Sequence, residues 1–221
     1  MTERGMIFNG EMVRAILDGS KTQTRRVMKP QPANDIERGT FPNAEAYGWV
    51  SSLKHKFGSA TAHFCPFGKP GDRIWVRETW THESIDAENG SYSPDYRATA
   101  NGQPLDGRWT PSIHMPRWAS RITLEITNVG VQRLQSISQN DAVREGLVRL
   151  PASGRYCINQ GDQYFGGASH DAREVFSWLW SSIYGVESWQ ANPWVWVIEF
   201  RRVEGGQRDR SAPIIRHQPH H

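Results

Sequence analysis

From Arg121 to Gln135 the chain alternates: Ile122, Leu124 and Ile126 stand at every second position, and Val129 to Val131 carry the run on. A period of two belongs to a strand with one buried face, so this stretch commits the protein to a sheet. Asn128 to Gly130 interrupt it once, where a bulge or bend is expected. Trp194-Val195-Trp196-Val197-Ile198-Glu199-Phe200 lacks the alternation and reads as a strand buried on both faces. Shorter strands are expected at Met6 to Phe8, at Arg73 to Trp80 after the Pro70-Gly71-Asp72 turn, and around Tyr96.

Helical spacing appears between these strands. Met12, Val13, Ile16 and Leu17 form one stripe of a helix from about Gly10, stopped by Gly19, and the polar run Ser20 to Val27 then reads as a strand entered from a turn. Ser138 with Asp141 three residues on resembles a capping box opening a helix that closes near Gly146. A third helix starts at Asp171 and presents Val175, Trp178, Leu179 and Ile183. The pattern predicts an α+β fold, a small barrel with short flanking helices rather than a doubly wound sheet. Residues 1–203 form one domain with loop insertions near 29–70, 81–116 and 147–169, and 204–221 form a mobile tail containing His217, His220 and His221.

At 221 residues and 37% hydrophobic content, one ordinary core is affordable in size. No apolar run approaches the ~18 to 20 residues of a membrane span, which predicts a cytoplasmic protein with no membrane partner. Cys65 and Cys157 stand apart without metal-ligand spacing and read as free thiols. Neither GxGxxG nor a P-loop is present, which argues against nucleotide-driven chemistry. The net charge of +3 conceals 21 Arg against 5 Lys, accompanied by 10 Trp. Guanidinium forks and indoles suit phosphates and bases; they serve equally to solubilise a face and fill a core.

The densest polar cluster is Gly19-Ser20-Lys21-Thr22-Gln23-Thr24-Arg25-Arg26. Neighbouring cations and partial burial lower the pKa of a lysine, making Lys21 a base for the hydroxyl of Thr24; a solvated basic turn is the plainer alternative. In a strict strand the two point to opposite faces, so joint action requires a turn between them.

Gly19-x-Lys21-x-x-Thr24-x-Arg26 resembles the GxKxxExR signature of the ASCH domain family, with threonine where many members carry glutamate. Further landmarks are Ile16-Leu17-x-Gly19, Pro70 to Glu78, the Ser120 to Val131 strand, Ala142-x-x-Glu145-Gly146 and Trp196 to Phe200, similar in particular to phage and prophage members. The resemblance implies a PUA-like β-barrel. A short bacterial branch comprises N4-acetylcytidine amidohydrolases using a lysine, a threonine and a glutamate, which fall on Lys21, Thr24 and Glu145. It implies a metal-free and cofactor-free hydrolase in which Thr24 attacks the amide carbonyl, Lys21 accepts its proton and Glu145 protonates the leaving amine. Arg26 and nearby backbone N–H groups would stabilise the oxyanion.

Other candidates for substrate contact are Glu78, a reserve acid that is expected to hold an ion-pair partner, and His114, Arg117, Trp118 and Arg121 beside the start of the long strand. They also support a rival reading, an RNA or modified-DNA binding module. There Lys21, Arg25, Arg26, Arg117 and Arg121 meet phosphates and Trp118 stacks a base. A ribonuclease using Lys, Glu and Arg is a third.

Overall fold

The computed structural model describes residues 1–43, 46–52, 60–85, 92–100, 107–159 and 166–203. The expected mobile tail, with its three histidines, lies outside these residues, as does part of each expected insertion. In chain order the elements are β1 (Glu3–Ile7), α1 (Gly10–Leu17), β2 (Gln23–Val27), β3 (Glu37–Arg38), β4 (Trp49–Ser51) and β5 (Thr61–His63). Then come β6 (Arg73–Arg77), β7 (Trp80–Ile85), β8 (Tyr92–Tyr96), β9 (Thr123–Arg133), α2 (Gln139–Arg144), β10 (Val148–Arg149), β11 (Tyr156–Cys157) and β12 (Ala168–Ser169). The described chain closes with α3 (Ala172–Tyr184), α4 (Val186–Gln190) and β13 (Trp194–Val203).

The fold is mixed α+β, organised on a five-stranded sheet of order β1-β6-β9-β13-β2. β1 runs parallel to β6; the other neighbours are antiparallel. β13 lies between β9 and β2, and its alternate residues enter two cores. Trp196, Ile198 and Phe200 join Phe8, Val13 and Leu124 on the α1 side, while Val195 and Val197 join Val175, Phe176 and Leu179 on the α3 side. Burial on both faces explains its unbroken apolarity. Along β9 the register slips, with Glu199 facing Asn128 and Phe200 facing Ile126. The extra residue is Thr127, one position before the interruption expected from sequence.

The sheet is open: no barrel is closed by backbone pairing among the described residues, and β1 and β2 are its edges. The two edges nonetheless meet through a side chain. Arg26 of β2 donates to the Ile7 carbonyl at 2.7 Å and lies 5.3 Å over the Phe8 ring.

The expected insertions are structured modules. The first carries the sheet β3-β4-β5, whose Trp49 packs edge-on against Trp196 at 5.2 Å. The second carries the β7–β8 hairpin, and the third the sheet β10-β11-β12, with Tyr156 and Ile158 packed on the α3 core. In α3 the buried stripe is Val175, Phe176, Leu179 and Trp180; Ile183, expected to face inward, is 40% exposed. Cys65 and Cys157 are buried free thiols, and burial pushes Cys65 up to about 11. No helix among the described residues is long and apolar enough to cross a membrane.

Candidate functional site

Two chain reversals build the site. Asn9 caps α1 by accepting from the Met12 amide at 2.8 Å, and after the helix Gly19, at φ 84°, turns the chain back on itself. The Lys21 amide then donates to the Ala15 carbonyl at 2.9 Å, laying the entry to β2 against the helix it has just left. The second reversal follows α2. Ser138 caps this helix, accepting from the Asp141 amide at 3.1 Å and donating to the Asp141 carboxylate at 2.8 Å. Gly146 ends it at φ 100°, and a Cβ there would stand 2.8 Å from Ala15 Cβ and 3.2 Å from Lys21 Cβ. Only glycine permits that approach, and it brings Glu145 beside Lys21 as an isolated antiparallel bridge.

Glu145 lies between two cations. Lys21 Nζ donates to Glu145 Oε2 and to the Glu145 carbonyl, both at 2.8 Å. From the other side a terminal nitrogen of Arg25 donates to Glu145 Oε1, also at 2.8 Å. The second terminal nitrogen of Arg25 donates to Gln132 Oε1 at 3.4 Å and lies 3.8 Å from the Asp141 carboxylate. Both cationic side chains are 0% exposed and Glu145 is 3% exposed. Lys21, Gln23 and Arg25 therefore share the α2 side of the chain, as a period of two requires, with Gln23 donating to the Asp141 carbonyl. Burial disfavours the charged amine of Lys21 more than the Glu145 charge favours it. Arg26 and Arg25 add repulsion, so Lys21 is held below the ordinary amine range.

Thr24 points to the other face of β2, opposite Ile198. No turn separates it from Lys21 within the strand. β2 is an edge strand, and a cleft lies beside it that Thr24 lines and Lys21 does not. Thr24 and Arg26 line this cleft from the α1 side, with Met12; Arg25 and Glu145 line it from the other, with Trp180 and Tyr184 of α3. Glu145 is thus the group shared between the buried amine and the space that Thr24 faces. The cleft is tight: it encloses about 10 Å³, near the least that holds one water.

The remaining sequence candidates divide. Arg26 is in the cleft, donating to the Tyr184 hydroxyl at 3.2 Å and to the Ile7 carbonyl. Glu78 is buried and accepts from Arg121 Nε and from a terminal nitrogen, both at 2.9 Å, so its expected partner is Arg121. Arg121 also lies 3.9 Å over the Tyr96 ring. Glu78 lines a separate groove of about 520 Å³ with Phe8, Asn9, Arg14 and Arg97. Arg117 forms a two-pronged pair with Glu3, at 2.8 Å for each contact. Trp118 is 57% exposed and meets Trp80 edge-on, while His114 sits on an exposed helical turn, 112–114. None of Glu78, His114, Arg117, Trp118 and Arg121 lines the cleft.

Sequence reasoning assigned Arg25 only a phosphate contact. The signal for its role was the alternation Lys21, Gln23, Arg25, which places it on the Lys21 side of β2. Three guanidiniums of the nucleic-acid reading have internal carboxylate partners: Arg25 with Glu145, Arg117 with Glu3 and Arg121 with Glu78. Among the described residues no three His, Cys, Asp or Glu side chains are grouped to hold a metal ion. In comparisons with known proteins, no family model, no curated protein and no solved structure matches this chain.

Proposed function

We propose that the protein is an amidohydrolase removing the acyl group from the exocyclic amine of N4-acylated cytidine-type nucleosides, on a curled sheet of ASCH, PUA-like type. One observation carries the reading: residues 124 positions apart, Lys21 and Glu145, meet at 2.8 Å beside a cleft that Thr24 also lines. A fully buried lysine with a lowered pKa is a poor structural cation and a good base, and its carboxylate partner connects it to the cleft.

In this mechanism the reactive form is the one in which Lys21 has lost its proton, the form its burial favours. Thr24 Oγ attacks the acyl carbonyl carbon, and its proton passes through the Glu145 carboxylate to the neutral Lys21 amine. Collapse of the adduct breaks the bond between the acyl carbon and N4, and the same proton returns through Glu145 to the leaving amine. Water then attacks the acyl-threonine ester. One water proton takes the same path and returns to Thr24 Oγ as the ester bond breaks and the carboxylic acid leaves. The cleft has room for about one water, so admitting the base takes a rearrangement of the side chains that line it. Such a side-chain motion precedes binding and does not alter the chemistry.

The test is incubation of the protein with a panel of N4-acylated cytidines, followed by chromatography for cytidine. Cytidine released from at least one member is the expected result. Release from none overturns the reading.

A further inference from the structure

Arg25 carries a donor that the fold leaves unused. Its two terminal nitrogens go to Glu145 and to Gln132, yet its Nε is buried and meets no acceptor. Native proteins pair nearly all such groups, and an unpaired one marks a strained site, a water or a ligand. The residue cannot turn to satisfy itself, because Glu145 holds one end of the fork and the Phe176 ring lies 5.9 Å from the guanidinium carbon. Arg73, Arg77 and Trp194 also carry unpaired buried nitrogens, but those residues stand outside the cleft. Among the described residues Arg25 alone combines an orphaned donor with a place in the cleft lining, beside Thr24 and Glu145, where one small acceptor fits.

We propose that Arg25 Nε–H receives the acyl carbonyl oxygen of the substrate and stabilises the charge that develops there. The inference rests on the amidohydrolase reading above and adds the group that reading lacks. As Thr24 Oγ bonds to the carbonyl carbon, the C=O π pair moves onto oxygen and meets Nε–H; as the bond to N4 breaks, the pair returns. No proton leaves the guanidinium, which stays charged throughout. Arg26, the residue implied by family resemblance for this role, is already committed to the Ile7 carbonyl and the Tyr184 hydroxyl. The donor that waits for an oxygen is its neighbour.

Arg25→Lys keeps a cation for Glu145 and removes Nε–H. It is expected to lower kcat by about 10²–10³-fold, the usual loss for one oxyanion donor, with KM little changed and the melting transition retained. A kcat within threefold of the parent overturns the inference and leaves the amidohydrolase reading intact. A second measurement is independent of turnover and of the folding of any variant: titration of the unaltered protein with acetate, the anion of the acyl product, followed by nitrogen-15 NMR of arginine Nε–H groups. The buried Arg25 signal, protected from solvent exchange, is expected to move. If no acylated cytidine is hydrolysed, the enzymatic reading falls and this titration alone decides the site. An Arg25 signal unmoved by acetate overturns the inference in either case.

Discussion

Replacing Glu145 by Gln preserves shape and removes charge, and the consequence can be worked from the geometry. The carboxylate meets Lys21 Nζ and an Arg25 nitrogen, each at 2.8 Å. At that distance, with an effective dielectric constant of about 20, each attraction is about 6 kcal/mol before solvation is counted. Relief from burying the carboxylate returns several kcal/mol, so the net loss should fall near the ~3–5 kcal/mol of other broken buried pairs. For a chain of this size that lowers Tm by about 6–20 °C. The two stranded cations then differ. Lys21 can shed its proton and Arg25 cannot, so part of the penalty is relieved by pH and part is not. The folded pKa of Lys21 already lies below the unfolded value of 10.5, and loss of Glu145 moves it further down. Between the two values the unfolded chain holds the extra proton, so stability rises with pH across that window. Urea unfolding followed by tryptophan fluorescence at neutral and at alkaline pH measures both parts. Lys21→Met in the Glu145→Gln background should restore some stability at neutral pH. A loss under about 1 kcal/mol, well below that of a broken buried pair, or one unchanged by pH, refutes a buried triad with a deprotonatable lysine.

Thr24→Ala should leave the melting temperature close to that of the parent and abolish cytidine release; turnover by this variant removes the nucleophile. Gly146→Ala forces a side chain into positive φ and against Ala15, and should cost more than about 1 kcal/mol. It should also lower activity by displacing Glu145, and retention of both properties would show that the close approach is dispensable. Asp72 is partly desolvated, which raises its pKa. Hydrogen bonds from the Thr2 and Lys69 amides and the Thr2 hydroxyl, with the Arg4 charge, outweigh this and hold it below 3.8. Its stabilisation is present above that value and is lost as pH falls through the lower folded one. Asp72→Asn should cost about 1.5–3 kcal/mol at pH 7 and flatten the acid limb of stability in a urea titration. An acid limb as steep as that of the parent would assign the dependence elsewhere.

Periodic features were legible in the sequence. The α1 stripe, the Ser138 cap, the two long strands and the neighbourhood of the bulge follow from patterns that backbone geometry imposes locally. Apart from the strand expected around Tyr96, which is β8, the insertions were read as loops because β3, β4, β5, β10, β11 and β12 are short or partly charged. Two or three residues, such as Tyr156–Cys157, cannot display a period. Whether the sheet closes was not legible, since the pairing of one edge with another depends on residues far apart in the chain. For the site, Lys21 and Thr24 could be singled out by crowding and resemblance, and Glu145 by resemblance alone. That Glu145 is buried, and that Arg25 completes its surroundings, depends on Gly146 bringing α2 against α1, a contact with no trace in local composition.

The position of β13 in the sheet sets the order in which the molecule can be made. Among the described residues β2, which carries Thr24 and Arg25, has β13 as its only sheet neighbour, and β13 begins at Trp194. While the chain emerges from the ribosome, β2 waits for more than 160 residues with no strand to lie against. The cleft therefore cannot form until β13 has been synthesised and has left the ribosome.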